Sequence, residues 1–122
     1  MPTNPSPLTL AEIVRRAVGV VDPDDDDPVA GDFELAFEDA DEPVRALDDV
    51  EARVGTVLAD LDPAVENGTL SMAGAITMYL SYRRDEITAD PEELIRLAAR
   101  AEWEGDPPAA VSTWLAERGI KL

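Results

Sequence analysis

This chain has no cysteine and no histidine, a single lysine, only 5% aromatic residues and no long apolar run. Each absence removes a class of chemistry. Without cysteine there are no disulfides, no reactive thiol and no thiolate zinc site. Without histidine, nucleophilic catalysis lacks its usual base. A Ser–Lys pair would have to use Lys121, next to the last residue of the sequence. No apolar stretch reaches the length that crosses a bilayer. The glycines are scattered, so no phosphate-cradling loop forms. No catalytic site, no cofactor and no metal site is therefore expected, and the chain reads as a non-enzyme.

What is present is acid. The 122 residues carry 27 Asp or Glu against 10 Lys or Arg, a net charge of −17. At ordinary salt such like charge repels itself and opposes the compact state. At molar salt the Debye length falls to about 3 Å, and the same charges barely sense one another. A dense carboxylate surface, arginine in place of lysine and a core rich in Ala and Val resemble the proteins of salt-in halophiles, above all halophilic archaea. The rival is an acidic, partly disordered chain from a low-salt organism. A hydrophobic content of 45% argues against it.

The length fits one domain, which buries roughly two thirds of its unfolded surface. Residues 1–7 are polar and Pro-rich, and read as a flexible tail. They lack the basic-then-apolar order of a signal peptide, so a cytoplasmic location is expected. Asn67-Gly68-Thr69 matches a glycosylation sequon, but Asn-Gly reads more simply as a turn. Charge divides unevenly. Residues 1–67 hold 18 acids and 4 bases, whereas residues 68–122 hold 9 and 6.

The fold expected is all-α, a small bundle of about five helices with an acidic, irregular insertion after the first. The first helix, over 8–21, opens on the capping box Thr9-Leu10-Ala11-Glu12. Residues 43–122 form the main helical domain. Its first helix starts near Pro43, and Leu47, Val50, Val54, Val57 and Leu61 make a short heptad seam. The next runs from about Ser71 to Arg84 and is apolar on most faces, which predicts a central helix. Asp90-Pro91-Glu92-Glu93 is a strong start for another, with Leu94, Leu97, Ala98 and Ala101 inward. The last begins at Asp106-Pro107, turns Val111, Trp114 and Leu115 inward and stops before Gly119. No internal repeat is evident.

The insertion, residues 22–42, breaks this rhythm. Asp22 to Asp27 invites a calcium loop. Its sixth position is Asp27 and its twelfth is Phe33, where an EF-hand needs Gly and Glu, so we read a solvated acidic loop. Over 33–38 large apolar residues alternate at period two, as in a short strand, although a helical turn would also put Phe33 and Phe37 on one face. Phe33, Leu35 and Phe37 are the candidate partner-binding residues of a docking segment. The competing reading folds them back to seal one end of the bundle. The cost of exposing two Phe side chains favours that second reading.

Tyr79, Tyr82, Arg83 and Arg84 form the one basic-aromatic cluster. Tyr82, Arg83 and Arg84 are thus the candidate contact for nucleic acid or another anion. Arginines at a helix C-terminus also complement the helix dipole, and we favour that account. The leading expectation is a small non-catalytic interaction protein: an adaptor, assembly factor or subunit of a halophilic cytoplasm. Its partner is another protein or, through the heptad seam, a second copy. The first alternative is a helix-turn-helix DNA-binding regulator built from the last two helices. Their would-be recognition helix starts Pro107-Pro108-Ala109-Ala110-Val111-Ser112-Thr113 and offers no Arg, Lys, Asn or Gln to a base edge. The second alternative is an antitoxin-like acidic binder of a basic protein.

Overall fold

In a computed structural model, the structure describes residues 8–44, 48–64 and 66–121. The expected tail, 1–7, and Leu47 of the heptad seam lie outside the described residues. The fold is all-α. Among the described residues there are six α-helices: α1 (Leu10–Val21), α2 (Pro28–Ala36), α3 (Val50–Leu61), α4 (Gly68–Tyr82), α5 (Pro91–Trp103) and α6 (Ala109–Glu117). A 3-10 turn, Arg84–Glu86, links α4 to α5.

Helix starts follow side chains that accept orphan N–H groups. Thr9 Oγ1 accepts from the Glu12 N–H at 3.2 Å and caps α1. Asp90 caps α5 by accepting from the Glu93 N–H at 3.3 Å, with Pro91 in the first turn. Asn67 caps α4, accepting from the Leu70 N–H at 2.9 Å. Asn67-Gly68 is thus a helix start rather than a free turn.

The insertion is the largest departure from expectation. The stretch read as a short strand lies mostly in helix α2, which Asp27 opens by accepting from the N–H groups of Val29 and Ala30. Pro28 takes the first turn, as Pro91 does in α5. The i, i+4 spacing of Phe33 and Phe37 decides the outcome, because both rings are then buried together. Their centroids lie 5.3 Å apart, edge to face. The chain then returns along the start of α1. The Ala11 N–H donates to Ala40 O at 3.1 Å, the Val44 N–H donates to Leu8 O at 2.8 Å, and Thr9 bridges Pro43. Pro43 is therefore tied to α1, and α3 begins later, at Val50.

Helix α4 is the central element and packs against every other α-helix. Met72 through Thr77 are buried without a break. The Thr77 hydroxyl is satisfied by donating to Ala73 O at 2.8 Å. Small residues let neighbours come close. A Cβ added at Gly74 would lie 2.6 Å from Leu58 Cδ1 of α3. Helix α5 is rotated from the expected face: Leu94, Ile95, Ala98 and Ala99 are buried, Leu97 is half-buried and Ala101 is exposed. Its end turns on two left-handed residues, Glu104 (φ 52°) and Gly105 (φ 92°). Helix α6 starts two residues past the expected Pro107 and buries Val111, Trp114 and Leu115.

Arginines tie separate parts of the chain together through backbone carbonyls. Arg118 donates to Val21 O, the last carbonyl of α1, at 3.0 Å, and its guanidinium lies 4.1 Å from the Trp114 ring centroid. Trp114 Nε1 donates to Thr69 Oγ1 at 2.9 Å. Arg16 donates to Ala89 O at 2.9 Å and Arg96 to Lys121 O at 3.0 Å. These backbone carbonyls thus gain charged donors.

Candidate interaction groove

Of the candidate docking residues, Phe33 and Phe37 point into the core, with relative exposures of 0% and 3%. Leu35 stands on the opposite side, 61% exposed, without an apolar companion from this segment. The three do not form one surface. Phe33 and Phe37 seal the bundle instead.

The acidic run is equally structural. Asp22 is buried, and its two carboxylate oxygens accept from the Asp26 and Asp27 N–H groups, both at 3.1 Å. Those contacts use one acceptor site on each oxygen to hold the loop. Among the described residues, no group of three or more Asp, Glu, His or Cys is placed to hold a metal.

The basic-aromatic cluster is partly neutralised by its neighbours. Arg83 Nη2 lies 3.1 Å from Glu86 and its Nε 3.5 Å from Asp85. Those partners hold its guanidinium above the ordinary arginine range, the Asp85 hydrogen bond contributing most. Burial pushes the Tyr79 hydroxyl up, with Glu86 adding to it. Arg84 donates to Ser81 O at 3.0 Å near the end of α4. Tyr82 is exposed at 72%. Arg84 and Tyr82 share a hollow of about 230 Å³ with Asp48 and Glu51, whose carboxylates oppose an incoming phosphate. On α6, Ser112, Thr113, Ala116 and Glu117 face solvent, a surface with no Arg, Lys, Asn or Gln to make a bidentate base contact.

An apolar concavity lies over α4. A groove of about 480 Å³ runs over α4, between α3 and the α5–α6 turn. Val54 and Leu58 of α3 line it on one side. Gly74, Ala75 and Met78 of α4 form its floor, and Trp103 closes the far wall. Among the described residues its charged lining is Glu51, Asp62 and Glu102, all acidic. The groove stays open because Gly55, Ala59 and Ala75 project little or nothing into it, while Gly74 lets Leu58 pack close to α4. Nothing lies within 4 Å of a Cβ built at Gly55. A second, shallower hollow of about 700 Å³ borders α6 and the start of α4, with Glu66 and Glu117 on its edge. The sequence carried a faint signal for the first groove in the small residues beside the heptad seam. Only the relative placement of α3, α4 and α5 turns them into a surface.

Among the described residues, no helix is long and apolar enough to cross a membrane. No protein-family model, no curated protein and no solved structure matches the chain.

Proposed function

We propose that this chain is a small non-catalytic protein–protein interaction protein, an adaptor, assembly factor or subunit, of a halophilic and archaeal cytoplasm. The observation that carries the reading is the groove over α4. It is an apolar cleft bounded by three elements, open to solvent, on a surface otherwise dominated by carboxylates. Concave apolar clefts of this kind serve as binding sites. The acid-rich, lysine-poor surface supports the halophilic setting, where salt removes self-repulsion and strengthens apolar association.

The test is affinity recovery of the tagged full chain from its native cells in molar KCl, with and without nuclease. A stoichiometric protein that survives nuclease supports the reading. Recovery of DNA from a defined set of sites, with protein partners lost after nuclease, would overturn it in favour of a regulator. Detected turnover of a small molecule would also overturn it.

A further inference from the structure

We infer that the groove over α4 takes an amphipathic helix of a partner protein, one whose apolar stripe is flanked by Lys or Arg. This rests on the interaction reading above and names the chemistry of the partner. Three observations carry it.

The first is the shape of the lining. Its α3 side runs from Glu51 to Asp62, about three turns or roughly 17 Å of helix. Its α4 side, from Leu70 through Gly74 to Met78, lies against α3. Two helices with a gap above them accept the side chains of a third at i, i+3, i+4 and i+7.

The second is the backbone chemistry of the site. An extended peptide needs a sheet edge to satisfy its N–H and C=O groups. The groove is walled by helices, whose interior backbone groups already bond one another. A helix arrives with its own hydrogen bonds made and brings only side chains.

The third is charge. Glu51 and Glu102 stand at the rim, beside Asp62, whose carboxylate also holds the Glu66 and Asn67 N–H groups, and among the described residues no Lys or Arg lines the groove. Cationic flanks would meet these carboxylates at contact distance, where salt screens least. A second copy of this chain brings mostly carboxylates and gains few such contact pairs, and an anionic lipid surface gains none.

The experiment uses the full chain and a fluorescein-labelled synthetic helix of roughly four turns, with Leu along one stripe and Arg beside it. Binding is read by anisotropy in molar KCl. Two control peptides share its length: one scrambles the same residues, and one keeps the Leu stripe but replaces Arg with Glu. Gly55→Trp fills the groove at a position with open space. Gly19→Trp makes the same change at an open position on α1, away from it.

The striped basic peptide should bind roughly tenfold or more tightly than either control. Gly55→Trp should weaken it by a similar factor, and Gly19→Trp should leave it unchanged. If Gly55→Trp melts early, Glu102→Arg provides the second variant and should weaken binding several-fold. Equal binding of the scrambled peptide would reduce the effect to charge adhesion and overturn the inference. Indifference to both groove variants would overturn it too. A native partner that is lost with Gly55→Trp, when the striped basic peptide does not bind, would leave the interaction reading standing and sink only the basic helix.

Discussion

Asp22 and Asp62 hold the same position in two copies of one loop. Each follows the last residue of a 12-residue helix and donates its N–H back to that helix at 2.8 Å. Each precedes a proline, and their backbone angles nearly coincide, φ −137°, ψ 63° against φ −148°, ψ 70°. The Asp22 carboxylate grips the N–H groups of Asp26 and Asp27; that of Asp62 grips those of Glu66 and Asn67 at 3.0 and 2.9 Å. Asp27 and Asn67 then cap the next helix. The hairpins α1–α2 and α3–α4 are thus joined alike. The repeat escapes a sequence reading because it resides in one Asp-Pro pair and one Asx cap, while the flanking helices differ.

This equivalence predicts unequal costs. Asp22 is 7% exposed, so Asp22→Ala removes a buried acceptor that holds two loop N–H groups and should cost about 1–3 kcal/mol. Asp62 is half-buried, and water can replace its carboxylate, so Asp62→Ala should cost about 0.5–1.5 kcal/mol. Urea unfolding of both variants in molar KCl measures the difference. If Asp62→Ala proves the more damaging, burial is not what sets the worth of this clamp.

The two sides of α2 should behave differently. Phe33 is fully buried, and Phe33→Ala should destabilise by about 3–5 kcal/mol. Leu35 is exposed, and Leu35→Ala should stay within about 0.5 kcal/mol of the parent. Thermal denaturation decides this. A stable Phe33→Ala chain that loses its partner would restore the docking segment.

Caps and periodicity made most of the bundle legible. Thr9, Asp90-Pro91 and the apolar run around Ile76 led to α1, α5 and a central α4. Helix α2 opens with the same Asp-Pro grammar at Asp27-Pro28, yet a run of adjacent aspartates hides which one is the cap. The choice is made in three dimensions, when the Asp22 carboxylate takes the Asp26 and Asp27 N–H groups. The groove was not legible for a related reason. Gly55, Ala59, Gly74 and Ala75 become a cleft only once α3 and α4 are set side by side. Small residues by themselves give no sign of whether a neighbour covers them.

Glycine positions separate tight contacts from open ones. A Cβ at Gly68 would fall 2.5 Å from Ala110 O and 2.7 Å from Trp114 Cβ, so α6 must move. Gly68→Ala should cost about 1–3 kcal/mol. A Cβ at Gly19, inside α1, meets nothing within 4 Å. Gly19→Ala should stabilise by about 0.5–1 kcal/mol through helix propensity. Opposite signs in thermal melts are the expected result, and equal signs would contradict the close approach of α6 to α4.

The acidic loop should register pH through Asp26. Its carboxyl is held above the ordinary 3.8, first by its hydrogen bond with the Asp22 side chain and then by the Asp22 charge. A carboxyl raised in the folded state binds its proton more tightly there than in the unfolded chain. The stability it contributes is present below pH 3.8 and is lost as pH rises through the raised value. At neutral pH the ionised Asp26 therefore works against the fold. Asp26→Asn keeps the residue 26 N–H that donates to Asp22 and removes the like charge. Its Tm should exceed that of the parent at neutral pH and low salt. The gap should close below pH 3.8, where the parent carboxyl is itself neutral. It should also shrink in molar KCl, because this group is exposed and salt screens its repulsion. Equal melting temperatures at neutral pH and low salt would mean that the two carboxylates do not repel across this loop.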